Sequence, residues 1–117
     1  MKTFVGSRGH AEGGERGEAR VVIHEPGKPP RPLDPRNDLR NHSPSGVEWS
    51  YLGSGPSQLA LALAAEVMGD DGRALQVYQK LKFEVVGLLP VDGWTLTSEQ
   101  LLVIIEDIER SRNERPA

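Results

Sequence analysis

Three side chains of the 117-residue chain have the types needed for acyl transfer: His42 as base, Ser54 as nucleophile and Asp38 as the group that orients the imidazole. Such a triad is defined by geometry, not by order along the chain, and Gly53-Ser54-Gly55 lacks the spacing of a Gly-x-Ser-x-Gly elbow. A polar loop supplies these types by composition alone, and that is the plainer reading.

A second candidate is the stretch Gly53, Ser54, Gly55, Pro56, Ser57 ahead of an apolar helix. Main-chain N–H groups at a helix start, with the positive end of the helix dipole, can hold a phosphate or carboxylate. Arg36, Arg40 and His42 would add donors if the segment carrying them folds back. The pattern is neither a P-loop nor a dinucleotide fingerprint, since it lacks the Gly-Lys-Ser/Thr ending and the GxGxxG spacing. Pro56 also removes one donor, so a turn that simply starts a buried helix is the competing reading.

The three histidines, His10, His24 and His42, fall in a loop, a strand and a turn, without the i, i+4 spacing of a helical metal motif. No metal or cofactor is expected, and His42 reads as a turn residue whose ring closes the bend from Asn41 to Pro44. Lys28, Arg31, Arg36 and Arg40 lie on a proline-rich stretch that could touch an acidic partner or a nucleic acid. No aromatic series is interleaved with them for bases to stack on, which keeps any nucleic-acid contact weak. Pro-x-x-P spacings occur in the same stretch, but a connector explains them more simply than a ligand for an SH3-type groove. Glu106, Asp107 and Glu109 read as the solvated face of the last helix.

Charge is unevenly spread. Residues 1–46 carry eight Lys/Arg against six Asp/Glu, and residues 47–117 carry six against eleven, a balance of +2 against −5. Neither half has the concentrated basic face of a dedicated nucleic-acid binder. With no cysteine the chain can form neither a disulfide framework nor a thiolate metal site. Neither a secretory signal nor an apolar span of about 18 residues is present, so a cytoplasmic protein without a membrane segment is expected.

These side chains must be positioned by the elements around Trp49–Met68, WSYLGSGPSQLALALAAEVM. Gly55 or Ser54 can cap the helix and Pro56 can enter its first turn, giving a start at 55–57. Leucines at 59, 61 and 63 alternate with alanines, too closely spaced for one stripe, so the helix is apolar on every side and must be buried. Gly69 should end it and Asp70 or Asp71 should cap a second helix over about 71–88, packed antiparallel and stopped by Pro90. Residues 90–94 read as a turn that drops Trp94 onto the pair. Thr97 and Gln100 form a capping box for a third helix, with Leu96 and Leu101 as its staple and Leu101, Ile104, Ile105 and Ile108 as its core face. No structure is expected beyond about residue 112.

The N-terminal half reads as sheet. Residues 2–7 and 19–25 form a hairpin over residues 1–25, with a long, mobile, glycine-rich loop, and alternation puts Phe4 on one face of the first strand and Val21 with Ile23 on one face of the second. Residues 26–46 form an extended connector, with five prolines between Pro26 and Pro35, that spans distance without joining a core. Residues 47–52 alternate and read as a third strand with Val47, Trp49 and Tyr51 facing the helices. The expectation is one α+β domain: a small antiparallel sheet from the N-terminal half packed against three helices over 55–112.

The segments GSGPSQLALALAAE, ALQVYQKLKFEVVGLLP and GWTL, with DLRNHSP at 38–44 and Trp49, resemble an uncharacterised family of domains of unknown function found in bacteria and in phage or plasmid genomes. The resemblance runs from residue 38 to 96 and extends, less closely, to the N-terminal hairpin. It implies a compact intracellular bacterial domain and brings no activity, cofactor or catalytic residue. The chain departs from the pattern at Ser50 and Leu52, where glycine or small residues would be expected, which implies a turn that is more strained or less exposed.

The reading that follows is a non-enzymatic accessory module that binds a macromolecule through the arm and the open face of the sheet. Its rivals are a small anionic-ligand binder or enzyme using Gly53–Ser57 with Arg40 and His42, and a homodimer sealed by spare apolar surface on the second and third helices.

Overall fold

The computed structural model describes residues 1–9 and 17–113. Strands β1 (Thr3–Arg8) and β2 (Ala19–His24) pair antiparallel with Phe4 opposite Ile23 and Gly6 opposite Val21. Period-two alternation then puts Phe4, Val21 and Ile23 on one buried face, as the sequence pattern requires. The glycine-rich loop, with His10, lies largely outside the described residues.

Two further strands complete the sheet, and neither is the one read from the sequence. β3 (Arg31–Pro32) sits beside β2, and β4 (Gly93–Thr97) sits on the far side of β1, giving the order β3-β2-β1-β4 with every pair antiparallel. Residues 47–52 form no strand. The main-chain N–H groups of Glu48 and Ser50 bond instead to the carbonyls of Gly55 and Val86, and Ser50 has a left-handed φ of 75° that breaks extension. Alternation holds for Trp49, which is fully buried, and fails for Tyr51, which is 43% exposed. The turn expected at 90–94 holds only to Asp92: Trp94 does reach the core, but as a strand residue opposite Gly6.

The proline-rich segment also packs more tightly than expected. Leu33 is buried, its N–H donates to the Val21 carbonyl, and Leu39 is packed against the core. A strand of two residues ending in proline is what an edge tolerates, because proline cannot donate to a ladder.

Three helices cover the inner face. α1 (Ser54–Met68) starts at Gly53 as N-cap and ends at Gly69, whose φ of 63° is the left-handed cap glycine accepts readily. Every residue from Gly55 to Ala65 is buried, so the Leu/Ala run is the enclosed rod its composition demands. Asp70 caps α2 (Asp71–Glu84) by accepting the Arg73 N–H. α2 stops four residues short of the expected end, and a 3₁₀ turn at Val86–Leu88 leaves Leu88 75% exposed. α3 (Ser98–Asn113) begins with the reciprocal capping box: Thr97 N–H donates to Gln100 Oε1 at 2.8 Å and Gln100 N–H to Thr97 Oγ1 at 3.1 Å. Leu101, Ile105 and Ile108 are buried and Ile104 half-buried. The fold is a small α+β arrangement with helices on one face of a four-stranded antiparallel sheet. No helix among the described residues is long and apolar enough to cross a membrane.

Candidate functional site

The start of α1 is closed in by the loop before it. Gly55, Pro56, Ser57 and Gln58 are buried, and a Cβ added to Gly55 would lie 2.6 Å from the Glu48 Cβ. Gly53 supplies no side-chain cap, and the first turn contains no acidic residue of its own. A groove of about 400 Å³ opens beside it, with Ser54, Gly55, Tyr51, Ser45, Glu48 and Glu18 among its walls. Arg36, Arg40 and His42 do not line it. Glu48 stands in its wall with its carboxylate already held by Arg8, so the groove brings no free cation to a bound anion from the residues the sequence nominated.

His42 belongs to a different cluster, organised by Gln58. Gln58 is fully buried in α1 and its amide uses both ends: Oε1 accepts the N–H of His42 at 2.8 Å and of Ser43 at 3.2 Å, and Nε2 donates to the Pro35 carbonyl at 2.6 Å. One side chain thereby ties both ends of the 35–43 loop to the central helix. The His42 ring nitrogen Nε2 lies 2.8 Å from the Tyr78 hydroxyl of α2, with the rings 5.6 Å apart. The imidazole therefore reaches across to α2 and does not close the Asn41–Pro44 bend.

This disperses the catalytic constellation. Asp38 bonds to Arg36, His42 to Tyr78, and Ser54 lines the groove at the start of α1. Among the described residues no group of three His, Asp or Glu side chains is placed to hold a metal, and His24 is exposed at the end of β2.

The cations of the arm are engaged within the chain. Lys28 pairs with Glu25, Arg31 with Glu25 and Glu66, and Arg36 with Asp38 and Asp71. The hydrogen bonds that Arg36 donates to Asp71 and Asp38 hold its guanidinium protonated even more firmly than usual, and the same donation holds Asp38 below its ordinary range. Arg40 is exposed and donates to the Leu39 carbonyl. The charged stretch thus binds the arm down and leaves Arg40 as its most available cation.

Large apolar side chains are exposed on either side of the 86–88 turn, as well as at Met1, Phe83 and Val103. Tyr51, Leu52, Leu88 and Val91 are 43%, 56%, 75% and 38% exposed. One main-chain bond and one side-chain contact set Leu52 beside the 86–88 turn: Ser50 N–H bonds the Val86 carbonyl at 3.1 Å, and Leu52 packs so closely on Gly87 that a Cβ there would meet its Cδ2 at 2.5 Å, while the Tyr51 ring lies over Gly53 at the start of α1. Behind this rim, the Val91 carbonyl accepts Arg8 Nε at 2.6 Å and Trp49 Nε1 at 3.0 Å. Arg8 also grips Glu48 with two bonds of 3.0 and 2.7 Å, and its guanidinium lies 4.4 Å from the centre of the Trp49 ring. Trp94 meets Trp49 edge to face at 5.5 Å. The rim stands on a rigid base.

Sequence reasoning missed Gln58, Arg8 and the rim. A signal for Gln58 exists, because it is a lone amide in an otherwise small and apolar run from Gly55 to Ala65. Arg8 carries no such signal, since its partners are 40 and 83 residues away.

A family model described as a family of unknown function (DUF6166) matches residues 6–107. Comparison with curated proteins and with solved structures gives no match.

Proposed function

We propose that this chain, which belongs to the DUF6166 family of unknown function, is a non-enzymatic binding module that works in the cytoplasm by docking on a protein partner. The observation that carries the reading is the apolar rim of Leu52, Leu88 and Val91, exposed beside a turn that the Ser50–Val86 main-chain bond fixes. Large exposed apolar and aromatic side chains on a preorganised base are what protein interfaces use at their centres, because little ordering entropy remains to be lost on binding. The arm is a weaker candidate than its sequence suggested, since most of its cations are engaged within the chain. The dispersal of His42, Ser54 and Asp38 favours a module without catalysis of its own.

A photo-crosslinking side chain at position 52 or 88, in cells that naturally express the protein, tests the reading. One discrete product is expected, abolished by Leu52→Asp in the position-88 probe and absent with the probe at exposed Lys80. Identical labelling at 80 and 88 would overturn it.

A further inference from the structure

Among the described residues the sheet has two edges, and only one is protected. On the β3 side the last strand is two residues long, follows Pro29 and Pro30, and ends in Pro32, while Arg31 is drawn off by Glu25 and Glu66. Proline without an N–H and a very short strand are the devices that stop an edge from templating another strand.

The β4 side has none of these. Gly93–Thr97 contains no proline, lysine or arginine, is rich in residues that favour strands, and follows β1 in unbroken register from Ser7 opposite Gly93 to Thr3 opposite Thr97. The register also fixes which groups face outward. Ser98 N–H bonds the Lys2 carbonyl at 2.8 Å, so Lys2 and Ser98 form a hydrogen-bonded pair. Antiparallel alternation then makes Leu96 and Trp94 the other bonded positions, and turns the N–H and C=O of Gly93, Thr95 and Thr97 away from β1. Thr97 supports the assignment, because its N–H is taken by Gln100 in the capping box. Gly93 and Thr95 are left as outward donors, and Thr95 is exposed.

The ends of this edge carry a common charge. Asp92 and Glu99 are exposed carboxylates, and among the described residues neither has an ion-pair partner. Val91 and Leu88 of the apolar rim lie just before Asp92 in the chain. A second copy of β4 laid antiparallel would bring Asp92 towards the partner Glu99 and meet repulsion. A foreign strand with basic flanks meets attraction.

We infer that the β4 edge accepts an extended segment of a partner protein by strand addition. The segment runs antiparallel, alternates β-branched residues over about five positions, carries Lys or Arg at both ends, and has an apolar residue on its C-terminal side against Val91 and Leu88. This rests on the protein-docking reading above and names the partner's chemistry.

The test pans a displayed library of random decapeptides against the full chain, then measures binding of the enriched peptides and amide hydrogen exchange at Gly93 and Thr95. Enrichment of proline-free centres with basic flanks is expected, with exchange at both amides slowed by about tenfold or more on binding. Thr95→Pro removes an outward donor that the sheet does not use, and should weaken binding by about tenfold or more while the far-ultraviolet circular dichroism stays native. Thr95→Lys keeps the N–H and charges the edge, and should weaken the same peptides if the proline variant fails to fold. Asp92→Lys with Glu99→Lys should switch the selection to acidic flanks. Peptides that are lost with Leu88→Asp yet indifferent to both Thr95 variants would overturn strand addition and leave the docking reading standing. An empty selection, or protection of Thr95 that grows with protein concentration alone, would overturn it as well.

Discussion

Gln58 and His42 are joined at 2.8 Å by a bond from the His42 main-chain N–H to the Gln58 amide oxygen. The same amide holds Ser43 and Pro35, so a single polar side chain inside an apolar helix sets the path of the loop that carries His42. The imidazole bonds the Tyr78 hydroxyl at 2.8 Å, on α2.

Replacing Gln58 by leucine should therefore cost far more than the change in side chain suggests. The buried Ser43 N–H and the part-buried His42 N–H and Pro35 carbonyl lose their partner together, each costing up to about 1–3 kcal/mol if left unsatisfied, which gives an expected loss of about 2–5 kcal/mol after partial relaxation. Urea unfolding measures it. A loss below about 0.5 kcal/mol would mean that the loop is held by other contacts.

Gly6 and Trp94 form a second relationship of this kind. They are cross-strand neighbours, and the indole lies over the glycine so that a Cβ there would lie 2.2 Å from its Cε2, far inside van der Waals contact. Gly6→Ala should destabilise by about 1–3 kcal/mol, because the ring, wedged edge to face against Trp49, has little room to yield. Tryptophan fluorescence should change in the same variant. Native fluorescence with unchanged stability would show that the ring moves at no cost.

The sequence made the enclosed α1 legible because leucines and alanines on every side leave no face for water, and it made Thr97 and Gln100 legible because a capping box is local. β4 was illegible for the opposite reason. Its partner β1 is about 90 residues away in the chain, and five residues between a turn and a capping box look like a turn. The strand misread at 47–52 has good alternation, but Ser50 at positive φ is invisible to a periodicity argument. At the two positions where a departure from the family pattern was expected, Ser50 has a left-handed φ of 75° and Leu52 is 56% exposed. For the candidate site, the residue types were legible, and their partners on other elements were not.

Acid should loosen the sheet from α1. Glu66, at the end of α1, is partly buried, which raises its pKa, but bonds from Arg31 of β3 and Lys2 beside β1 more than offset this and hold it below its ordinary value of 4.5. A folded-state pKa below the unfolded one gives stabilisation that is present above about 4.5 and lost as pH falls through the lower folded value. Glu25, held down by Arg31, and Glu109, held down by Arg73, act with the same sign. Urea midpoints should be level from pH 7 to about 5 and fall below that, and Glu66→Gln should flatten the fall. A midpoint that rises on acidification would contradict the assignment.

Ser50 offers the one stabilising change argued from backbone alone. Its φ of 75° places a Cβ in the left-handed region, which costs about 1–2 kcal/mol, whereas glycine adopts it without strain and gives back about 0.5–1 kcal/mol in unfolded-state entropy. Ser50→Gly should thus raise stability by up to about 1 kcal/mol, and Ser50→Val, branched at Cβ, should lower it. Because Ser50 N–H anchors the 51–52 turn to Val86, the glycine variant should also keep the exposed Leu52 beside Gly87 and leave partner binding intact. Thermal unfolding of the two variants decides the matter: if glycine lowers the midpoint and valine does not, the turn is held by contacts of the serine side chain and carries no backbone strain to relieve.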